Sequence, residues 1–333
     1  MISLTQDEVM RSWGRTYDHP LLSIACITFN HEKYIQDTLD AFLTQKTNFP
    51  FEIIIHDDCS NDETAKIIRE YEIKFPKIIK PIFQSENQYS KGTRAILATF
   101  VYPKCSGRYI ALCEGDDYWI DENKLQKQVD FLEKNPDYGL CYTRAKEFLQ
   151  NKHRFSRKKF GSYVDSFEDL LIKGNRIPTL TVCAKKELIM QYVDEIKPQE
   201  KKWLMGDYPM WLYIALKSKV KFFNKETSVY RVLQNSASHS SSAEKNYDFH
   251  KSAYDIRKFF SDMSGISIED WDEIKMKFYE NSNLMKKTLN NAVFRETVQK
   301  LYWKLENRNF SEFINYVLSL SNVFVFPFYL IRK

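Results

Sequence analysis

Short runs of apolar residues alternate with amphipathic stretches along the first half of the chain. The apolar runs predict buried strands at positions 21–29, 51–58, 78–84 and 107–117, and residues at helical spacing follow each run. Such strand–helix–strand units build a sheet whose neighbouring strands run parallel. The pattern therefore predicts an α/β fold with a mostly parallel sheet flanked by helices.

The second half of the chain is less regular. Its pattern predicts strands at 141–149 and 179–185, a basic loop at 151–160, a helix at 206–218 and an extended pair at 219–232. From about position 246 only helical spacing is visible. We therefore expect a main domain over residues 1–243 and a helical C-terminal region over residues 244–333.

The net charge of +5 is unevenly distributed over the 333 residues. From position 281 onward there are eight basic and three acidic residues, so residues 1–280 are neutral overall. This distribution gives no reason to expect a nucleic-acid-binding surface on the main domain. The N-terminal residues lack the basic start and apolar run of a secretory signal, and the six cysteines form no Cys-x-x-Cys pair. We expect a cytoplasmic protein with reduced thiols.

Glycines are scarce and widely spaced. The chain has nine, and the closest two, Gly107 and Gly115, are eight positions apart. A dinucleotide fingerprint needs three glycines within six residues, and a P-loop needs two glycines five apart before a lysine. Both glycine-rich ways of binding phosphate are therefore excluded.

Two of the predicted strands end in paired aspartates, Asp57-Asp58 and Asp116-Asp117. Aspartates also favour turns and helix N-termini, which is the alternative interpretation. In an open α/β sheet, however, ligands bind beyond the carboxyl ends of the strands. Carboxylates there suit Mg²⁺ or Mn²⁺, which typically bridges one or two of them to substrate phosphates. Such an ion would neutralise a diphosphate and make it a better leaving group.

Four segments of the chain, taken in order, are similar to glycosyltransferase family 2. They are ACITFNHEKYIQDTLDAFLTQ, FEIIIHDDCSNDET, YIALCEGDDYW and MGDYPMWL, and they lie between positions 20 and 240. The resemblance implies a GT-A fold, a metal-dependent inverting glycosyl transfer and a nucleotide-sugar donor. A role in polysaccharide biosynthesis also follows from the resemblance alone.

The resemblance implies nucleotide-binding roles for Phe29, Asn30 and Asp58, near the ends of the first two strands. Phe29, beside Asn30, corresponds to an aromatic residue near the nucleotide base, and its alternative is core packing. Asp58 corresponds to the aspartate that binds a uracil ring. In the element similar to the DXD motif, Asp116 would face the ribose and Asp117 the metal.

Asp207 corresponds to the catalytic base of the family. A carboxylate there takes the proton of the acceptor hydroxyl, and such a base contributes ~10²–10⁴ in rate. The alternative for Asp207 is a helix N-cap. The family usually has Glu-Asp at this place, whereas this chain has Gly206 before Asp207.

Two further residues are weaker candidates. By resemblance, His239 in a serine-rich loop would complete the metal or diphosphate site, with a purely structural role as its alternative. Arg231 would contact the diphosphate.

The segment from Tyr316 to Ile331 is apolar but holds serines, an asparagine and a proline. A spanning helix needs ~20 predominantly apolar residues, which is more than this run supplies. Two alternatives stay open, an interfacial helix on the inner face of the membrane and a helix packed on the main domain.

The sequence thus predicts an inverting glycosyltransferase that moves a sugar from a nucleoside diphosphate donor, most simply a UDP-sugar, to a hydroxyl of a glycan or lipid-linked acceptor. The alternative of a different class is a nucleotide-sugar binding module without catalysis, because the acid before Asp207 is missing. A nucleotidyltransferase would need a glycine-rich triphosphate loop, which the chain lacks.

Overall fold

The computed structural model describes residues 2–14, 19–233 and 243–268. Within these ranges the strands form one nine-stranded sheet. The strands are β1 (Leu22–Thr28), β2 (Phe51–Asp57), β3 (Ile79–Phe83), β4 (Tyr109–Leu112), β5 (Tyr118–Trp119), β6 (Tyr138–Leu149), β7 (Arg154–Phe160), β8 (Cys183–Lys185) and β9 (Lys219–Val232). Their order across the sheet is β3-β2-β1-β4-β8-β6-β9-β5, and β7 pairs with β6.

The first part of the sheet is parallel. Leu22 of β1 lies opposite Phe51 of β2 on one side and Tyr109 of β4 on the other, and β3 continues the parallel order beyond β2. β8 then runs antiparallel between β4 and β6, whereas β6 and β9 are parallel. The predicted α/β class is confirmed, with the parallel order concentrated in the first four strands.

Helices cover both faces of this sheet. They are α1 (Gln6–Met10), α2 (Ile35–Leu43), α3 (Thr64–Lys74), α4 (Lys124–Lys134), α5 (Phe167–Lys173), α6 (Lys186–Ile196), α7 (Tyr208–Lys217) and α8 (Ala243–Ser264). Side chains alternate along a strand, so β2 supplies Ile53 and Ile55 to one core and Ile54 to the other. α2, α3 and α4 contribute to the first core, and α5 to α8 contribute to the second.

Two predicted elements differ from the structure. The basic segment predicted as a loop contains β7, because β8 pairs only with the start of β6 and leaves the edge of its second half available to β7. The segment 219–232 is one long strand rather than an extended pair. β6 runs beside it over nearly its whole length, with register shifts that let it bend.

α8 packs on the second core. Trp203 contacts Phe259 edge to face, and the Ser252 hydroxyl accepts a hydrogen bond from the backbone of Leu204. Arg257 donates to the carbonyl of Leu171 at the end of α5. The compact unit that contains the sheet runs to position 268. The division into two domains, with its boundary at 243, stays a prediction.

A buried carboxylate of β2 joins β1, β3 and the loop before β4 at the amino end of the parallel sheet. Glu52 accepts hydrogen bonds from the Ser23 hydroxyl, from the backbone and hydroxyl of Ser106, and from Lys80. Burial alone would raise the pKa of Glu52, but these hydrogen bonds outweigh burial and lower it. Gly107 donates to the same Ser23 hydroxyl, and a side chain at Gly107 would collide with the backbone of β1.

We expect Glu52→Gln to lower the free energy of unfolding by about 3 kcal/mol at neutral pH, because buried donors lose a charged acceptor. Since the folded pKa of Glu52 is lowered, its stabilisation is present above its ordinary pKa of 4.5 and is lost as the pH falls through the folded value. Denaturant unfolding across this acidic range should therefore show a flatter pH dependence for the variant. Parallel profiles for the two proteins would contradict this account. The exposed ion pair of Glu63 with Lys66 supplies a control, and Glu63→Gln should change stability by less than about 1 kcal/mol.

Candidate active site

The carboxyl ends of three neighbouring strands form the site. β2, β1 and β4 are adjacent and parallel, so the turns that follow them meet at one edge of the sheet. The turn after β4, here called the acidic turn, comprises Glu114, Gly115, Asp116 and Asp117. The Thr38 hydroxyl of α2 lies 2.6 Å from the carbonyl oxygen of Asp117 and 3.0 Å from that of Gly115. α2 therefore fixes the position of the acidic turn against the sheet.

Hydrogen bonds join the turn after β1 to the turn after β2. Asn30 and Cys59 both adopt left-handed backbone conformations, with φ of 57° and 61°. The Ser60 hydroxyl accepts a hydrogen bond from the backbone of Asn30 and donates to Asp57, and the Asn30 side chain accepts one from the backbone of Asn61. Asn30 thus shapes the turn, and its contact with a nucleotide stays a prediction.

Asp58 binds the backbone of the loop that follows β3. Its two carboxylate oxygens accept hydrogen bonds from the backbone amides of Gln88, at 2.8 Å, and Tyr89, at 3.0 Å. If Asp58 binds the nucleotide base, it would do so with the carboxylate lone pairs that the two backbone amides leave free. Phe29, on the same edge, is 42% exposed, so core packing does not describe it. Tyr89 is also exposed, and the sequence pattern did not single it out.

A close approach makes Gly115 necessary in the acidic turn. A β-carbon there would lie 2.7 Å from the Thr28 side chain and 3.1 Å from Nδ1 of His31. His31 Nε2 lies 4.0 Å from a carboxylate oxygen of Asp116. Burial lowers the pKa of His31, although the charge of Asp116 opposes this effect. His31 is therefore a site residue that sequence reasoning missed, although it directly follows the polar residue Asn30 at the end of β1.

Arg231 anchors the acidic turn from β9. Its backbone amide donates to the Asp117 carboxylate at 2.7 Å, and its guanidinium donates to the carbonyl of Asp116 and pairs with Asp37 of α2. The guanidinium also lies over the Tyr118 ring, 4.4 Å from its centre. Arg231 is 6% exposed, so the structure gives it a positioning role, and its predicted contact with a diphosphate stays a prediction.

Asp207 lies at the N-terminus of α7. One carboxylate oxygen accepts a hydrogen bond from the amide of Tyr208 at 2.7 Å, and the other accepts from the Thr179 hydroxyl at 2.9 Å and the Asn175 amide at 3.1 Å. The N-cap alternative therefore describes its location, and these contacts also orient the carboxylate as a base requires. A side chain at Gly206 would meet open space, so no steric conflict explains the missing acid.

Asp207 lies near the acidic turn, because Thr179 donates to its carboxylate and the carbonyl of the next residue, Leu180, accepts a hydrogen bond from Trp119, two positions after the turn. Burial, the charge of Asp116 and the charge of Asp207 together raise the pKa of Glu114 to about 8. Burial and the charges of Asp116 and Glu114 likewise raise the pKa of Asp117. Residues about ninety positions apart in the chain thus act on each other electrostatically. The site concentrates negative charge that a cation would offset.

The acidic turn suits a divalent cation only in combination with other ligands. Among the described residues, no three acidic, histidine or cysteine side chains converge closely enough to hold a metal ion by themselves. Asp117 is 2% exposed, whereas the Asp116 side chain is 20% exposed. Mg²⁺ and ions like it commonly use one or two carboxylates, water and substrate phosphates. The donor set of the acidic turn fits that arrangement.

Two predictions fall on residues that the structure does not describe. His239 lies in the undescribed range 234–242, and the apolar segment from Tyr316 to Ile331 lies beyond position 268. Within the described part of the chain, no helix combines the length and apolar character needed to cross a bilayer.

An open α/β sheet with carboxylates at the carboxyl ends of its strands is typical of a class that binds nucleotide ligands at this edge. The model of Glycosyl transferase family 2 matches residues 23–191, which is just over half of the chain. The chain belongs to this family.

Two curated relatives illustrate the match. The uncharacterised protein Rv1520 of Mycobacterium tuberculosis is 43% identical over 167 residues, which are 50% of this chain and 47% of that protein. The match thus spans about half the length of this relative. The Escherichia coli protein WfgD, a UDP-Glc:alpha-D-GlcNAc-diphosphoundecaprenol beta-1,3-glucosyltransferase, is 27% identical over 66% of this chain and 81% of its own length.

Solved structures support the GT-A fold. TarS of Staphylococcus aureus (residues 1–349, with UDP-GlcNAc) aligns with a TM-score of 0.55 at 16% identity, over 78% of this chain and 72% of that one. The mannosyltransferase PcManGT of Pyrobaculum calidifontis (with GDP-Man and Mn²⁺) aligns with a TM-score of 0.51 at 13% identity, over 92% and 87%. The predicted sheet flanked by helices is confirmed.

Proposed function

We propose that this protein is an inverting glycosyltransferase that moves a sugar from a UDP-sugar donor to a hydroxyl of a glycan or lipid-linked acceptor. The observation that carries the proposal is the position of Asp207 near the acidic turn: its carboxylate accepts a hydrogen bond from Thr179, and the next residue, Leu180, accepts one from Trp119, two positions after that turn. A single displacement needs a base on the acceptor side and charge stabilisation on the diphosphate side. Asp207 and the acidic turn supply these two functions.

The proposed reaction is one balanced step. The acceptor oxygen attacks the anomeric carbon from the face opposite the diphosphate, the new carbon–oxygen bond forms, and the bond to the diphosphate breaks. Asp207 takes the hydroxyl proton, and the nucleoside diphosphate leaves. Thr179, Asn175 and the amide of Tyr208 hold the carboxylate in one orientation, so little reorganisation is needed when the proton moves.

Donor binding is assigned to the strand ends. Phe29, Asn30 and Asp58 would contact the nucleoside, and Asp116 the ribose. The exposure of Phe29 and the position of Asp58 at the same edge support this assignment. The UDP-Glc used by WfgD and the UDP-GlcNAc in the TarS complex support a uridine donor.

Asp117, with Asp116 beside it, would hold Mn²⁺ or Mg²⁺. The ion would act as a Lewis acid that neutralises the leaving diphosphate. The raised pKa values of Glu114 and Asp117 support a cation here, as does the Mn²⁺ in the PcManGT complex. His239 as a further ligand is part of the proposal.

The acceptor is proposed from relatives. WfgD acts on a GlcNAc-diphosphoundecaprenol, which favours a lipid-linked acceptor and a role in polysaccharide biosynthesis for this chain. A location on the cytoplasmic side of the membrane, with the C-terminal segment at its surface, belongs to the same proposal.

A transfer assay tests the function. The full chain is incubated with Mn²⁺, one radiolabelled donor at a time (UDP-Glc, UDP-GlcNAc or GDP-Man) and a polyprenyl-diphosphate-linked GlcNAc. We expect label to appear on the acceptor with one UDP-sugar and UDP to be released in equal amount. Tight binding of UDP-sugars without turnover on this or any glycan acceptor would favour the non-catalytic binding module. Absence of nucleotide binding in calorimetry would contradict both functions.

A further inference from the structure

A basic hairpin within the sheet has no part in the proposed reaction. It consists of β6, a short helical turn over Gln150–Lys152 and β7, with His153 in a left-handed conformation at its tip. Between positions 146 and 160 it carries six lysines and arginines against one acid, Glu147. The remaining residues up to position 268 hold 33 basic and 35 acidic residues, so the excess positive charge of this part of the chain is concentrated in the hairpin.

Most of these cations have no acidic partner. Lys146 is the exception, because its Nζ lies 3.7 Å from Oε2 of Glu226. The other five are exposed and form no ion pair with any described residue; they are Lys152, Arg154, Arg157, Lys158 and Lys159. Unpaired cations of one sign at this density repel each other, so they favour an anionic partner.

An exposed aromatic ring lies among the cations. Phe155 is 50% exposed, and its ring contacts Phe148 edge to face at 5.1 Å. Tyr163, just after β7, is 58% exposed. A purely solvated charged strand does not need these rings, whereas a surface that meets the boundary between lipid headgroups and acyl chains combines aromatic rings with cations.

The hairpin stands beside the active site. Phe148 and Leu149 of β6 pair with Arg231 and Val232 of β9, so the tip of the hairpin lies at the end of the sheet where Arg231 binds Asp117. A surface bound by the hairpin would therefore lie next to the acidic turn.

We propose that the β6–β7 hairpin docks this protein on an anionic lipid surface, with Phe155 in the headgroup region and the five unpaired cations facing lipid phosphates. The charge complementarity and the exposed ring favour lipid over a soluble polyanion, which would use the cations alone. Docking itself does not depend on the transfer reaction. Only the consequence that it brings a lipid-linked acceptor to the site rests on the proposed function.

Vesicle flotation of the full chain tests the proposal, with mixed phosphatidylcholine–phosphatidylglycerol vesicles compared with pure phosphatidylcholine. We expect the triple variant Arg157→Ser, Lys158→Ser, Lys159→Ser to bind mixed vesicles on the order of 100-fold more weakly, since each cation near the surface contributes about fivefold. The matched control is Lys77→Ser, Lys104→Ser, Lys202→Ser, which removes the same charge from exposed positions elsewhere and should keep most of the binding. Equal binding by the hairpin variant and the parent would overturn the proposal and leave the C-terminal segment as the binding element.

A second variant separates lipid from a soluble polyanion. Phe155→Ser should weaken vesicle binding about tenfold and leave binding to dextran sulfate unchanged, because only lipid offers an apolar phase for the ring. Thermal melting shows whether loss of the contact with Phe148 unfolds the hairpin, and the triple variant removes no described contact. Unchanged vesicle binding by folded Phe155→Ser, together with loss of dextran sulfate binding by the triple variant, would overturn the lipid assignment.

Discussion

Replacing Asp207 with asparagine is expected to lower the rate of sugar transfer by about 10²–10⁴-fold while nucleotide binding stays at the parent level. Asparagine cannot take the proton of the acceptor hydroxyl. It is as good an N-cap as aspartate, so α7 should keep its N-terminus, and its side-chain oxygen can still accept from Thr179. The measurement is transfer under saturating donor, with UDP affinity from calorimetry as the control for folding.

A companion variant tests the orientation of the same carboxylate. Thr179→Val keeps the shape of the side chain and removes the hydroxyl that donates to Asp207 at 2.9 Å. One lost hydrogen bond to a charged group corresponds to about a tenfold lower kcat, with little change in donor KM. If Asp207→Asn transferred sugar at the parent rate, Asp207 would be only a helix cap.

The second large effect is expected at the acidic turn. Asp117→Asn should lower transfer about 100-fold and raise the Mn²⁺ concentration needed for half-maximal activity at least tenfold, since it removes one charge that would face the cation. The asparagine oxygen can still accept from the Arg231 amide, so the turn should keep its shape. Chelation should abolish transfer by the parent, and added Mn²⁺ should restore it.

The control for Asp117 lies at the other end of the sheet. Asp137 directly precedes β6, is exposed and pairs with Lys219. Asp137→Asn removes the same charge and should leave both the transfer rate and its Mn²⁺ dependence unchanged, because an exposed pair contributes little. A metal titration of Asp117→Asn that overlays the parent curve would exclude Asp117 as a ligand.

Local patterns were sufficient for much of the fold. The runs at 21–29 and 51–58 predicted β1 and β2 to within two residues, because a fully buried strand needs a continuous apolar run. The basic segment at 151–160 misled the prediction. An exposed edge strand has no apolar alternation, and its pairing depends on the edge of β6 that β8 leaves open.

The site residues likewise divide into those that the sequence pattern indicated and those that only the structure revealed. The position of Asp58 and Asp116 at one edge of the sheet was predictable, since the carboxyl ends of parallel strands in one sheet meet at the same edge. The contact of Arg231 with a diphosphate stays a prediction, and only the structure shows that this residue is buried against Asp37 and the acidic turn. Nothing in the pattern distinguished His31 from its polar neighbours, because its proximity to Asp116 arises only when β1 and β4 are paired.

By itself, the sequence determined the α/β class, the acidic residues at the strand ends and the absence of a glycine-rich phosphate loop. These are properties of short segments, which periodicity and composition reveal directly. Only the tertiary structure decided which carboxylates influence one another, which cation anchors the acidic turn and where the basic hairpin stands. Burial and electrostatic coupling depend on the proximity of residues far apart in the chain, as for Glu114 and Asp207, and the pattern of one strand does not show which residues will lie near it.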